Sequence, residues 1–193
     1  MAAAAHELGF TYTAWMGPES APKFQTALFQ EHSGAALKNL MTGNYGGLDA
    51  LVFDYSYTTG SAQNSSTVGH TVALYTQNVD LPSFTLGPES LAEKIVDALE
   101  HRRVELDCPP SFSRHYAVRG PEKEKIRLLF NGNVISLIES LDCSKQWHIE
   151  GAGKTLVLYR YRRHVKPAEL RDFLQETSSI AQSFFAFCRT KSN

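Results

Sequence analysis

The stretch ALKNLMTGNYGGLDALVFDYSY, residues 36–57, constrains the fold more than any other in the chain. Apolar and polar residues alternate with a period of two on both sides of Gly46-Gly47. That pair supplies the positive backbone angles a two-residue hairpin turn demands, so two antiparallel strands are expected. A polar connection, TTGSAQNSSTV, leads to GHTVALYTQ as the third strand of a meander, and FTLGP reads as a fourth. In the second strand, alternation puts Leu51, Phe53, Tyr55 and Tyr57 on one face and Ala50, Val52, Asp54 and Ser56 on the other. The aromatic face is expected to be the core, with Asp54 on the thinner or wetter side.

Helical spacing takes over further along. In GPESLAEKIVDALEH, Pro88 stops a strand, Ser90 stands at the N-cap and Glu93 at capping-box spacing, which predicts a helix over 90–101. Pro121 opens a second, over 121–141, interrupted at Asn131-Gly132. Pro167 opens the last, over 167–187, with Leu170, Phe173, Leu174, Thr177, Ile180, Ala181 and Phe184 in one stripe. RRVELD and HYAVRG read as strands, and WHIEGAGKTLVLYRYRR as a hairpin turning at Gly151 to Gly153. AAAAHEL reads as the end of a helix, FTYTAW as a short extended segment, and one helical turn is expected around Phe24, Leu28 and Phe29. The expectation is a single α+β domain over residues 1–193, a mainly antiparallel sheet of about six to eight strands with the helices packed on one face.

Bulk properties exclude some classes. A net charge of −1 and a pI near 6.7 give no reason to expect nucleic acid as a partner. No run of about 18 apolar residues occurs, and the start lacks a signal peptide's cationic and apolar regions, so the chain reads as soluble as given. Cys108, Cys143 and Cys188 are widely spaced without a C-x-x-C pair, which points to scattered thiols; a Cys108–Cys143 bridge stays open. The seven histidines show no H-E-x-x-H spacing, so no metal is expected, and no cofactor.

Three motifs invite a functional reading. GAGKT, 151–155, offers glycines and a lysine to phosphate, but a strand follows where a phosphate loop needs a helix, so a tight turn is preferred. YRYRRHVK gathers Arg160, Arg162, Arg163 and Lys166 as a candidate anion or lipid-headgroup site. The simpler reading is a strand end leaving the core, with Arg160 and Arg162 on the face of Leu156 and Leu158. Asp54 and His70 lie on neighbouring strands, which makes an acid–base pair of a hydrolase or transferase conceivable, helped by Arg160. A solvated or hydrogen-bonded Asp54 explains the same pattern without catalysis.

LGFTYT, NLMTGNYGGLDALVFDYSYTTG, HTVALY through LPSFTLGPES, and WHIEGAGKTLVLYRYRRHVKPAELRDFL together resemble a family of uncharacterised bacterial proteins. In that family a strand near FDYSY follows a TG…G turn, and one or two membrane-spanning helices precede the soluble part. The resemblance implies an α+β domain on a membrane anchor, with residues 1–8 ending a juxtamembrane helix. It implies a cytoplasmic or membrane-anchored protein and carries no activity and no catalytic residues. The expected role is therefore a non-catalytic binding or scaffolding domain with a protein partner, and an enzyme using Asp54 and His70 is the alternative.

Overall fold

The computed structural model describes residues 1–16, 24–30, 34–60, 64–89, 103–141 and 143–190. Among these, six strands make one antiparallel sheet: β1 (Thr11–Met16), β2 (Ala36–Tyr45), β3 (Leu48–Thr59), β4 (Ser66–Pro88), β5 (Tyr116–Arg119) and β6 (Trp147–Arg160). β1 to β4 pair in chain order. Tyr45 faces Leu48 across Gly46 and Gly47, whose φ angles of 61° and 79° build the tight turn.

The expected third and fourth strands are one. β4 runs through both, pairing with β3 in its first half, β5 at Thr85–Pro88, and β6 along both halves. β6 doubles back on itself: the ring of His148 stacks on Tyr159 with centroids 4.9 Å apart, and the Arg160 guanidinium lies 5.3 Å from the centre of the Trp147 ring. β4 follows this bend on the outer track, which is longer. Between the pairs Val72/Tyr159 and Leu86/Ile149 it advances fourteen residues while β6 advances ten, and the surplus is taken up as register shifts between Thr76 and Phe84.

A turn spanning Gly151 to Gly153, centred on Ala152, would set His148 opposite Leu156. The arms instead bring His148 to Tyr159, so the turn is centred just past Gly153, where φ is 56°. Gly151 has a separate role. The Phe84 ring lies so close over its backbone that a Cβ there would sit 2.3 Å from Phe84 Cε1.

The helices are α1 (Ala2–Glu7), α2 (Pro110–His115), α3 (Lys123–Leu129), α4 (Gly132–Ser140) and α5 (Leu170–Thr190). They cover one face, where Val52, Ala73, Tyr75, Phe84, Ile149 and Leu158 meet Phe112, Ile126, Ile138, Phe173, Ile180 and Phe184. Asn131 breaks the middle helix because its side chain accepts the N–H groups of Asn133 and Val134 and so caps α4. That helix starts at Lys123, two residues after Pro121, and the last one begins at Leu170 after a 3₁₀ turn over Pro167–Glu169. The expected strand RRVELD shrinks to one bridge, Arg103 to Arg119, and its CPPS terminator opens α2 instead. The helix expected over 90–101 lies outside the described residues. No helix among the described residues is long and apolar enough to cross a membrane.

Both faces of the sheet are buried, which corrects the expectation of one core face. The helices take the Ala50/Val52 side. The aromatic side, with Phe53, Tyr55, Val72, Leu74, Val157 and Tyr159, is covered by residues 24–30, whose 3₁₀ turn at Ala27–Phe29 sets Leu28 into it. Phe24 and Phe29 pack on Phe53 at 6.2 and 6.0 Å.

Candidate functional site

Asp54 and His70 do not meet. Asp54 is paired across the sheet with Thr71 and Tyr55 with His70, so alternation sends the two side chains to opposite faces. The partner of Asp54 is His164, whose Nδ1 lies 3.1 Å from Oδ1. The same oxygen accepts the Thr71 hydroxyl at 2.6 Å, and Oδ2 accepts the Asn39 amide at 2.7 Å. Asn39, held at φ 53°, in turn accepts the Tyr12 hydroxyl at 2.6 Å. Thr71 Oγ1 also accepts the Val165 N–H, and its own N–H donates to Arg163, so this network fastens the connection after β6 to the sheet. Gly69 makes room for the imidazole, because a Cβ there would come within 2.8 Å of His164 Nε2. Asp54 is mostly covered and His164 is exposed. The arrangement can orient an imidazole, yet no hydroxyl or thiol among the described residues is hydrogen-bonded to it.

His70 belongs to a second cluster that the sequence reading missed. On the aromatic face it stacks on Tyr159 at 4.7 Å, Tyr159 stacks on His148, and the Tyr159 hydroxyl donates to Glu150 Oε1 at 2.9 Å. Glu150 Oε2 accepts the backbone N–H of Leu28 at 2.8 Å. Glu150 is 2% exposed, and loss of solvation raises its pKa despite these two donors. Burial, with His70 adding to it, lowers the pKa of His148 to about 3, so that imidazole is neutral. Desolvation and the nearby Glu150 push the Tyr55 hydroxyl up to about 12. The cluster is a buried set of stacked rings and hydrogen bonds holding residues 24–30 to the sheet. A hairpin register centred past Gly153 is the signal that would have placed His148 and Glu150 on this face.

The basic segment diverges. Arg160 lies on the helix side over Trp147 and Phe173, Arg162 turns at φ 56° to lie over Tyr161 and reach Ser66, and Arg163 and Lys166 are exposed. GAGKT is the bend of β6 and opens no helix. Cys108 is a free thiol, so it is not bridged to Cys143, and its pKa is raised by burial and by Glu139, Asp107 and Glu105. No group of three histidine, cysteine or acidic side chains among the described residues could hold a metal ion.

The sequence matches no family model and no curated protein. Among solved structures the fold is similar to the crystal structure of the mycobacterial trehalose monomycolate transport factor A, TtfA. The likeness has a TM-score of 0.66 at 11% identity and covers 97% of this chain and 92% of that one. At that identity it shows the fold: an α+β domain with an antiparallel sheet.

Proposed function

We propose that this chain is a non-catalytic binding or scaffolding domain, working as the part of a membrane-tethered protein that lies outside the bilayer. The observation that carries the reading is how its polar groups are used. Glu150 is spent on Leu28 and Tyr159, and the oxygens of Asp54 on Asn39, Thr71 and His164, so each acid holds chain segments together. The anchor comes from the family resemblance. The fold shared with a protein described as a transport factor supports a role in binding or assembly.

Fractionation of cells making the full-length natural protein, followed by chemical crosslinking, tests this. The expected result is recovery with membranes and a reproducible crosslinked partner; recovery in the supernatant, uncrosslinked, contradicts it.

One geometry favours a second reading. His164 on Asp54 takes the place expected of His70, and in a hydrolase or transferase its Nε2 would act as the general base.

A further inference from the structure

Arg160 is an arginine without an acid. No carboxylate among the described residues makes an ion pair with it, although its Nε is shut off from solvent and has no acceptor. Its guanidinium is held over two stacked rings, 5.3 Å from the centre of Trp147 and 5.6 Å from Phe173. The indole N–H of Trp147, a fully buried residue, likewise has no acceptor among the described residues. Two donor-only groups side by side lack the same thing, an acceptor with lone pairs. Ring faces steady a cation but offer nothing to an N–H directed away from them. Glu176 pairs with Lys145, so it is not held in reserve for Arg160.

We propose that Arg160, seated on Trp147 and Phe173, is the recognition group of an oxyanion site at the start of α5, taking a phosphate group. The fork of a guanidinium matches phosphate geometry. Arg162 and Arg163 are not part of it, since Arg162 lies over Tyr161 on the other side of the strand. The site is independent of the binding role proposed above and can fail without it. A free phosphate and a phospholipid headgroup share this chemistry.

The chain has two tryptophans, so Trp15→Phe leaves Trp147 as the reporter. Its fluorescence is followed against inorganic phosphate at constant ionic strength, and against phosphatidylcholine vesicles with and without phosphatidic acid. A saturable response to phosphate identifies a soluble anion as sufficient. A response confined to vesicles containing phosphatidic acid identifies the headgroup. Either should survive Arg163→Gln and weaken at least about tenfold in Arg160→Gln. If Arg160→Gln does not fold, Arg160→Lys, which keeps the charge and loses the fork, replaces it. No saturable response to either probe, or a response that Arg160 substitution leaves unchanged, overturns the proposal.

Discussion

Glu150 accepts the backbone N–H of Leu28 at 2.8 Å, across 122 positions of the chain. A carboxyl buried in the sheet therefore fastens the segment that covers the sheet's aromatic face. Glu150→Ala leaves the Leu28 N–H and the Tyr159 hydroxyl without their acceptor, and a loss of about 2–4 kcal/mol is expected. Glu150→Gln keeps the shape and an oxygen for Leu28, and the Tyr159 hydroxyl can turn to accept from the new amide, so its cost should be clearly smaller. Urea unfolding of both variants checks the order.

His148 and Glu150 give stability opposite dependences on pH. The folded His148 stays neutral down to about 3, whereas the unfolded one takes up a proton near its ordinary 6.5. The unfolded state then binds more protons across that window, so stability falls on acidification by roughly 1.4 kcal/mol per unit. Glu150 holds its proton above its ordinary 4.5 in the folded state, so its contribution is full below that value and is lost as pH rises through its raised pKa. His148→Phe keeps a ring on Tyr159 and removes the acid limb. The difference in stability between wild type and His148→Phe, measured from pH 7 down to pH 4, should move steadily in favour of the variant.

Gly151 lies under the Phe84 ring, with no room for a methyl group. Gly151→Ala should cost about 1–3 kcal/mol by overpacking. In a Phe84→Leu background the cost should shrink, and a double-mutant cycle read by thermal unfolding measures the coupling.

Asp54 and His164 contribute unequally despite being partners. Asp54→Ala strips Thr71 and Asn39 of a shared acceptor and should cost about 2 kcal/mol. His164 is exposed, and His164→Ala should cost less than about 1 kcal/mol. Denaturant midpoints of the two variants test this ranking.

Local signals carried much of the fold. Gly46-Gly47, the alternation of β2 and β3, the Asn131 break and the stripe of α5 each mark an element through spacing or turn chemistry that acts within a few residues. What escaped depended on longer geometry. That β4 is one strand follows from its wrapping around β6, a contact between distant segments. His148 and Glu150 are hidden from such signals because moving the turn centre by little more than one residue reverses which face each side chain takes. Asp54 was legible as a residue of interest, but its partner was not. His164 reaches it from beyond the last strand, and strand alternation says nothing about a chain after it leaves the sheet.

In the function proposed, these polar groups hold the domain together for binding and do not turn over a substrate. Purified wild type and His164→Ala, assayed side by side on chromogenic carboxylic esters, phosphoesters and glycosides, test it most directly. Equal rates are expected for the two proteins, at the level of the uncatalysed background. Turnover by the wild type that His164→Ala abolishes while its thermal unfolding is unchanged would contradict it.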